Sequence, residues 1–525
     1  MNYDSDSARA SWLTRCLSPH ANDTYPTFLQ RRATSPDRVA LIHQDRTYTY
    51  KQLHAAIEAT AKVLVAEYGV MPGDRVMINM ENSDHFVIFY LAIQRAGAVA
   101  VPINPKLVGR EIAYLLSDAR PVLYVCDDNR IDAVGSINSS ASMAAAAVST
   151  VMHARCGDAQ LPEPNPDLPA TIFYTSGTTG VPKGVVHTHR TLIAGAFQNS
   201  RSWGYDQFGS VTLAVTPLFH VAAHSWFYPV LAFQGTLVVD GFKVERTFDL
   251  IERFQVDGIG AVPAMLLMMI GAEKRDQYDL RSVRNIRFGA SPMPPDKLLA
   301  VQALFPNADL YHGMGQTESG GTISVLPGTL AFSKNGSTGY PIAGCEVRIV
   351  DDAGRDLPIG ALGEVLARGP NVMNRYFNMP EATASTLVDG WLHTGDIGYI
   401  DTEGCIYLVD RKKDMIIRGG ENVYSVEIEH VIMQHPGVGK CAVVGVPDAV
   451  LGEKVCALIV PLSRERQDPM ADDLLGELTA LCREKLAPFK VPQVWRVLEE
   501  LPCTATGKVQ KAILRKQAAD LLYGG

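Results

Sequence analysis

Residues 174–184, YTSGTTGVPKG, combine hydroxyl side chains, glycines and one lysine directly after the apolar run ATIFY. Glycines let successive backbone N–H groups turn to one side, and Ser and Thr hydroxyls add donors, so the segment is suited to hold phosphate. It is not the Walker sequence, because Pro182 stands where that motif has Gly, and Gly184 follows Lys183 where Ser or Thr is required. The segment predicts a phosphate-binding loop, with a Gly- and Ser-rich surface linker as the alternative.

Seven further segments follow the loop in order: TPLFHVAA (216–223), GASPMPP (289–295), YHGMGQTES (311–319), GSTGYPIAG (336–344), GWLHTGD (390–396), DRKKDMIIRGGENVYSVEIE (410–429) and PCTATGKVQK (502–511). Together with the loop, this ordered set resembles the adenylate-forming enzymes: acyl- and aryl-CoA synthetases, peptide-synthetase adenylation domains and firefly luciferase. The motif sequences are most similar to those of free-standing fatty- or aryl-acyl-CoA ligases. The resemblance implies that a carboxylate attacks the α-phosphate of ATP-Mg²⁺, giving an acyl adenylate and pyrophosphate.

The resemblance also implies roles for residues at the nucleotide. Departing pyrophosphate carries large negative charge, which hydroxyl and backbone donors and one cation can receive. One departure is Met314, which stands where the family usually has an aromatic residue; a polarizable Met side chain can still pack on adenine. The expected ATP- and AMP-binding residues are Thr175, Ser176, Gly177, Thr178, Thr179, Gly180, Lys183, Gly289, Ala290, Ser291, His312, Gly313, Met314, Asp396 and Arg411.

Catalysis is expected from Lys508, Thr317, Glu318 and His220. Lys508 matches the family lysine that bridges the substrate carboxylate and the α-phosphate, where an ammonium stabilises developing charge. Glu318 and Thr178 are the expected Mg²⁺ ligands, since magnesium prefers hard oxygen donors. For a second half-reaction with coenzyme A, the resemblance implies a hinge at Lys413 and a thiol channel at Gly419, Gly420 and Glu421.

The acid-binding pocket is expected at Phe219, Val221, Ala222, His224 and Val262. Adenylation domains for α-amino acids carry an Asp directly after the matching Phe, but His220 and Val221 follow here, so an amino-acid substrate is disfavoured. The pocket segments contain no Arg, which disfavours a dicarboxylate. A largely apolar monocarboxylic acid, aliphatic or aryl, remains; His224 and Ser225 leave open a polar group on it, and its size stays open.

These residues must be positioned by an alternation of short apolar runs and amphipathic helices, which predicts α/β layers with parallel strands. KQLHAAIEATAKVLVAEYG has helical spacing and ends at a glycine, and AVPAMLLMMIGA (261–272) predicts a buried helix. The texture turns β-rich near 335–410. We expect a large N-terminal domain (1–412) of two layered α/β sheet units plus a small β-rich unit, and a small mobile α+β C-terminal domain (413–525).

The 525 residues carry a formal net charge of −8, which argues against nucleic acid as a partner. Nine scattered cysteines without a CxxC pair, and an N-terminus without a signal-peptide pattern, indicate a cytoplasmic protein with reduced thiols. No transmembrane segment is expected, and the partners are ATP, CoA and a small carboxylic acid, with the chain a monomer or homodimer. Because no carrier-protein domain follows Gly525, the thiol is expected in trans. One alternative is an enzyme that transfers the acyl group to a carrier protein or an amine. Another is a nucleotide-binding protein without catalytic activity.

Overall fold

The computed structural model describes residues 6–132, 143–154, 157–163, 165–175, 182–204, 211–289, 293–419, 421–462, 471–503 and 509–523, without the side chains of 6–10, 223, 224, 226–228, 471, 472 and 523. The chain divides into a larger first unit, Met1–Val347 with Leu366–His393, and a smaller second unit, Arg348–Val365 with Thr394–Gly525. The predicted fold class, mixed α/β with several sheets and a smaller C-terminal domain, is confirmed. The predicted boundary between residues 412 and 413 falls inside the second unit and stays a prediction.

The first unit contains a mostly parallel sheet that carries several of the predicted site segments. In spatial order its strands are β2 (Arg46–Thr49), β1 (Val39–His43), β10 (Thr236–Val239), β9 (Val211–Ala214), β11 (Gly258–Ala261), β12 (Asn285–Gly289), β13 (Asp309–Met314), β14 (Ser324–Leu326) and β15 (Ser337–Pro341). The pairing is parallel from β1 through β10, β9, β11 and β12 to β13, and it is antiparallel at both ends.

A second sheet of the first unit carries the ends of the predicted phosphate loop on the antiparallel hairpin of β7 and β8. In order its strands are β18 (Arg375–Tyr376), β8 (Lys183–Thr188), β7 (Pro169–Thr175), β4 (Val99–Pro102), β3 (Arg75–Asn79), β5 (Leu123–Cys126) and β6 (Ala144–Ala147). The short strands of the β-rich region, through several of which the division between the units runs, are β16 (Glu346–Val350), β17 (Gly363–Arg368), β19 (Leu387–Val388), β20 (Trp391–Ile400) and β21 (Ile406–Arg411).

Helices cover the sheets of the first unit, and no helix within the described ranges is long and apolar enough to cross a membrane. The α-helices are α1 (Asp6–Leu17), α2 (Tyr25–Arg32), α3 (Tyr50–Tyr68), α4 (Asp84–Arg95), α5 (Gly109–Ala119), α6 (Val148–His153), α7 (His189–Ser202), α8 (Val221–Ala232), α9 (Val244–Phe254), α10 (Pro263–Ile270), α11 (Pro295–Leu304) and α12 (Pro380–Thr386). Short 3₁₀ turns lie at Ser18–His20, Asp128–Arg130, Arg275–Gln277, Thr317–Ser319 and Gly328–Leu330.

Helix α3 forms where its sequence predicts, because a capping box marks its start and a glycine marks its end. At the start, Thr49 Oγ1 accepts from the Gln52 amide at 3.2 Å while Gln52 Oε1 accepts from the Thr49 amide at 2.8 Å, a capping box. At the end, Gly69 adopts φ +63°, which only glycine tolerates without cost. The apolar run 261–272 also forms a helix, α10, but the helix is buried on one side only, since Leu267 and Met268 are exposed.

The second unit is a small α+β module around a long antiparallel hairpin. Its strands are β22 (Ile416–Arg418), β23 (Glu421–Val423), β24 (Val438–Asp448), β25 (Gly452–Pro461) and β26 (Val494–Val497), and its helices are α13 (Ser425–Ile432), α14 (Ala471–Lys485), α15 (Lys511–Tyr523) and the 3₁₀ turn Pro488–Lys490. Apolar side chains of the hairpin alternate between two buried clusters. One cluster contains side chains of α13 and α14 and the other contains side chains of α15, so the sheet has a covered face on each side.

Candidate active site

The predicted phosphate loop connects two paired strands whose ends the structure describes. Thr175 and Lys183 face each other in the register of β7 and β8, and Thr175 Oγ1 donates to the Lys183 carbonyl at 3.4 Å. A side chain at Gly184 would meet Ile172 and the Tyr174 ring, which explains the glycine after the lysine. Five predicted loop residues lie outside the described residues: Ser176, Gly177, Thr178, Thr179 and Gly180.

Lys183, the first residue of β8, and Glu318, in the 3₁₀ turn Thr317–Ser319, contact the same tyrosine of the first unit. The Lys183 ammonium lies 4.9 Å from the centroid of the Tyr376 ring, and the Tyr376 hydroxyl donates to Glu318 Oε1 at 2.7 Å. The Met373 amide donates to the Glu318 carbonyl at 2.7 Å, so the backbone of the glutamate is also fixed. The structure therefore brings together one cation and one carboxylate from segments that are 135 positions apart in numbering, 183 against 318.

Thr317 is buried, and its carbonyl is the acceptor of a buried histidine. His187 Nε2 lies 2.8 Å from the Thr317 carbonyl oxygen, so this nitrogen carries the proton and donates. Burial lowers the pKa of His187 to about 4, and the ring is neutral at pH 7. His187 thus holds the turn that presents Glu318 without adding charge to it.

Close packing at β12 and β13 explains the predicted glycines there. A side chain at Gly289 would collide with the Gly313 carbonyl, and one at Gly313 would collide with the indole ring of Trp203. Met314, the predicted adenine contact, is buried at 6% exposure. The remaining two predicted residues of this group, Ala290 and Ser291, lie outside the described residues.

His312 is fixed as a structural partner of β15 and β12. Its Nδ1 donates to the Ser337 carbonyl at 3.0 Å, and its ring stacks on Phe288 with centroids 5.0 Å apart. The His312 imidazole is buried at 8% exposure. These contacts give His312 a defined orientation, whereas its predicted contact with the nucleotide stays a prediction.

Three of the predicted acid-binding residues, Phe219, Val221 and Ala222, lie at the start of α8. His220 is the N-cap residue of α8, and its Nδ1 accepts from the Ala222 amide at 3.2 Å, which places the ring proton on Nε2 in the neutral form. Val221 is buried, and Phe219 packs against the core shared by α3, α4 and α7. Val262 is the residue before α10 and is half-buried. The His224 side chain lies outside the described part of the chain.

Arg287 is next to one of these segments in sequence, but its guanidinium lies elsewhere in the sheet, beside Gly258. Arg287 precedes Phe288 on β12 and is the largest fully buried side chain of the described residues. Its guanidinium nitrogens lie beside Gly258, the first residue of β11, close to where a side chain there would start. The guanidinium therefore lies toward the amino ends of the parallel strands, whereas ligands of such sheets bind at the carboxyl ends.

In the second unit, Asp396 and Arg411 form an ion pair. They are register partners on β20 and β21, and Arg411 Nε lies 2.6 Å from Asp396 Oδ1. The carboxylate is nearly buried, with a 6% exposed side chain, while that of Arg411 is 30% exposed. The Asp396 amide donates to Thr394 Oγ1 at 3.0 Å, which holds the preceding turn. A pair that shares one carboxylate oxygen leaves further lone pairs of Asp396 as acceptors.

The predicted hinge and thiol-channel residues lie on either side of β22. Lys413 is exposed in the turn after β21, and its carbonyl accepts from Arg515 Nη2 at 3.2 Å. The Gly419 amide donates to the Leu451 carbonyl at 2.7 Å, and Glu421 is exposed at the start of β23. Gly420 lies outside the described residues.

Lys508 also lies outside the described residues, but the start of the helix that follows it is anchored. Lys511 Nζ donates to Ser425 Oγ at 2.6 Å and lies 2.7 Å from Glu429 Oε1. The Ser425 hydroxyl and amide both donate to Asp410 Oδ2. This network links β21, α13 and α15, so Lys511, three residues after Lys508, is connected through Ser425 to Asp410, the residue that precedes Arg411.

The donors near Glu318 fit a magnesium ion that is held mainly by its substrate. No group of three His, Cys, Asp or Glu side chains that could hold a metal occurs in the described residues. Magnesium is usually bound through one or two carboxylates, with water and substrate phosphates completing the octahedron. A single well-oriented carboxylate is therefore the donor set expected for an ion that enters with ATP.

Sequence reasoning missed four residues of this region: Tyr376, His187, Trp203 and Lys511. Tyr376, His187 and Trp203 lie 58, 130 and 110 positions from Glu318, Thr317 and Gly313, the residues that they contact. Lys511, in contrast, lies three positions after Lys508. The one available signal was the position of Lys511 as the last residue of the motif PCTATGKVQK. The others had no local signal.

Comparison with known proteins identifies the family of this chain. The family model described as AMP-binding enzyme matches residues 28–377, and the model of the AMP-binding enzyme C-terminal domain matches 427–508. A fatty acid–[acyl-carrier-protein] ligase of Streptomyces coeruleorubidus is 33% identical over 509 residues, covering 94% of this chain and 95% of the relative. A feruloyl-CoA synthase of an Amycolatopsis species is 34% identical over 501 residues, covering 93% and 98%.

Among solved structures, the o-succinylbenzoate coenzyme A synthetase of Bacillus subtilis in complex with ATP and a magnesium ion is similar with a TM-score of 0.83. That chain is 32% identical to this one, and the match covers 93% of this chain and 98% of the other. Both family models, the two relatives and this structure agree with the resemblance stated from the motifs. The chain therefore belongs to the AMP-binding, adenylate-forming enzyme family, and acyl-CoA ligases are among its relatives.

Proposed function

We propose that this protein is an ATP-dependent acid–thiol ligase that activates an apolar monocarboxylic acid as its acyl adenylate and then transfers the acyl group to coenzyme A. The observation that carries the proposal is the meeting of Lys183 and Glu318 at the Tyr376 ring. A cation and a metal-binding carboxylate at one place are what an in-line attack on the α-phosphate needs for the leaving pyrophosphate.

In the first half-reaction the acid carboxylate attacks the α-phosphorus and the bond to the β-phosphate oxygen breaks. Lys183 and the loop donors Thr175, Ser176, Thr178 and Thr179 receive the departing pyrophosphate, and Lys508 stabilises charge at the reacting carboxylate and α-phosphate. Magnesium, when bound with ATP, neutralises phosphate charge beside Glu318. Asp396 accepts hydrogen bonds from the ribose hydroxyls, with Arg411 as its fixed partner.

In the second half-reaction the thiolate of coenzyme A attacks the acyl carbonyl and AMP leaves. We assign the turn at Lys413 as the hinge of a mobile C-terminal domain, residues 413–525, which withdraws Lys508 and brings Gly419, Gly420 and Glu421 to the thiol. The exposed position of Lys413 in the turn between β21 and β22 supports a hinge, because hinge residues are loop or element-terminal positions that absorb the change in backbone dihedral angles.

The acid class follows from the charge of the pocket segments. The residues 219–222, 261–265, 288–289 and 311–314 contain no Asp, Glu, Lys or Arg. The adjacent Arg287 guanidinium lies beside Gly258, near the amino ends of the strands, where it does not serve a second carboxylate at the ligand edge. Burying an unpaired carboxylate in uncharged surroundings costs several kcal/mol, about 5 or more by ion-solvation arguments, so a fatty or aryl monoacid is favoured.

The acyl acceptor is the second part of the proposal. The relatives include a feruloyl-CoA synthase and a fatty acid–[acyl-carrier-protein] ligase, so the first half-reaction is compatible with two acceptors. We favour coenzyme A, with a carrier protein or an amine as the alternative. All eight cysteines among the described residues are unpaired, which supports a reducing, cytoplasmic location for a monomer or homodimer.

Pyrophosphate exchange into ATP across a panel of acids tests the proposal. The panel contains fatty acids of graded length, cinnamic-type aryl acids, aryl acids with a second carboxylate, and α-amino acids. Exchange with fatty or aryl monoacids, followed by consumption of coenzyme A, is expected. If none of the acids supports exchange, the proposed adenylating activity is rejected. A preference for a diacid or an amino acid would reject the proposed acid class. Acylation of only a carrier protein or an amine would reject coenzyme A as the acceptor.

A further inference from the structure

Tyr376 contacts both charged groups that the proposed function places at the phosphates, although no motif assigned it a role. The ring lies between the Lys183 ammonium and the Glu318 carboxylate, with its face toward the first and its hydroxyl toward the second. Lys183 and Glu318 form no ion pair with each other among the described residues. The side chain of Tyr376 is buried, with 5% exposure.

The tyrosine is held from several sides. Its backbone pairs with Val185 of β8, two residues after Lys183, and its amide donates to Thr383 Oγ1 at 3.0 Å. Val185 and Met373 pack on the ring in one buried cluster. A ring fixed in this way can impose its position on a neighbouring carboxylate.

The hydroxyl is protonated at neutral pH, because a tyrosine has an ordinary pKa of about 10. A protonated hydroxyl donates to Glu318 Oε1 without neutralising the carboxylate, so the full negative charge remains for a cation. A lysine in the same position would form an ion pair and compensate that charge.

The ring face likewise holds the Lys183 ammonium without neutralising it. An ammonium over an aromatic face is attracted to the ring but keeps its positive charge. If the ring were absent, Lys183 and Glu318 could close into a direct ion pair. Such a pair would compensate the carboxylate needed by the metal and the cation needed by pyrophosphate at the same time.

We propose that Tyr376 is a positioning residue that orients Glu318 toward the metal through its hydroxyl and keeps Lys183 apart from that carboxylate through its ring. This inference rests on the proposed function, because the roles of Glu318 and Lys183 belong to it. The hydroxyl and the ring make separable predictions, which two substitutions distinguish: Tyr376→Phe removes the hydroxyl and keeps the ring, and Tyr376→Leu removes both.

Binding is measured by calorimetry of the full-length protein with ATP, ATP plus Mg²⁺, and pyrophosphate. For Y376F we expect metal-free ATP and pyrophosphate to bind within twofold of wild type, while the enhancement of ATP binding by Mg²⁺ falls about tenfold, as for loss of a hydrogen bond to a charged group. For Y376L we expect the same loss plus a fall of about threefold or more in pyrophosphate affinity, as for loss of a cation–π contact.

The matched control is Tyr50→Phe, which removes another buried tyrosine hydroxyl of the first unit, one that donates to the Gly235 carbonyl at 2.8 Å. If wild type shows no enhancement of ATP binding by Mg²⁺, the proposed function fails. If wild type shows it and Y376F retains it, the positioning role is wrong. Equal losses in Y50F and Y376F would also overturn the inference, because they would reflect general destabilisation. Y376F decides the hydroxyl's role even if Y376L does not fold.

Discussion

Glu318 in the first unit is predicted to bind Mg²⁺ and Asp396 in the second is predicted to bind the ribose, and the two carboxylates have different partners. Glu318 Oε1 accepts from the neutral hydroxyl of Tyr376, whereas Asp396 Oδ1 lies 2.6 Å from the charged Arg411 Nε. A carboxylate beside a neutral donor keeps its negative charge for a metal ion. One beside a guanidinium is compensated, but it still offers lone pairs to neutral hydroxyl groups. The two sites therefore suit different chemistry, metal-phosphate binding against ribose binding.

The largest effect is expected from Lys508→Ala, which tests whether the second unit supplies charge to the first half-reaction at all. Loss of one preorganised electrostatic donor reduces kcat by about 10²–10³-fold, so acyl-adenylate formation should nearly vanish. Thioester formation from supplied acyl adenylate should be retained. The control is Lys516→Ala, an exposed lysine on α15 that should change neither step. Equal loss of both half-reactions in K508A would contradict the assignment.

Glu318→Gln is expected to have the next largest effect, because it removes the uncompensated charge while the amide oxygen can still accept from Tyr376. Adenylation should fall by about 10²-fold, and part of the loss should be recovered at high Mg²⁺ concentration. Pyrophosphate exchange measured over a range of Mg²⁺ concentrations checks this. An unchanged Mg²⁺ dependence would show that Glu318 is not the carboxylate that faces the metal.

Much of the fold could be predicted because its signals are local. Helix α3 carries its cap at Thr49 and its terminating Gly69, and the predicted loop follows the apolar run that forms β7. The motif segments also gave Glu318, Asp396 and Arg411 as candidates. The ion pair of Asp396 with Arg411 joins two of those candidates through a register that sequence alone does not supply.

The partners of these residues could not be predicted, for a physical reason. His187 bonds to the Thr317 carbonyl, and Tyr376 to the Glu318 carboxylate, across separate strands. A single buried His or Tyr has the same sequence appearance whether it fills a core or orients a catalytic group. The one-sided burial of α10 is similar: its continuous apolar run predicts burial on every side, yet the packing leaves Leu267 and Met268 exposed.

Asp396→Asn tests the other carboxylate, with an expected rise of about tenfold in KM for ATP and no change in Mg²⁺ dependence. The magnitude follows from weakening hydrogen bonds to a charged acceptor, about 1.5 kcal/mol. An ATP analogue without ribose hydroxyl groups sharpens the test. Wild type should bind the analogue about as weakly as D396N binds ATP, and the variant should not distinguish the two nucleotides. Additive losses would mean that Asp396 does not contact the ribose.

The smallest effect at neutral pH is expected from His187→Gln, because a Gln side chain can still donate to the Thr317 carbonyl and His187 is uncharged there. Its effect appears in acid. Burial lowers the pKa of His187 to about 4, against about 6.5 when unfolded, so the unfolded chain binds the proton first as pH falls. The stability contribution is therefore complete above pH 6.5 and is lost between pH 6.5 and 4, by up to roughly 3 kcal/mol. Melting temperatures of H187Q should fall less steeply than those of wild type as the pH is lowered through this window. The control is a substitution of an exposed histidine, His153→Gln, which should leave the wild-type slope unchanged. Parallel slopes for H187Q and wild type would show that His187 is not held neutral beside the turn that presents Glu318.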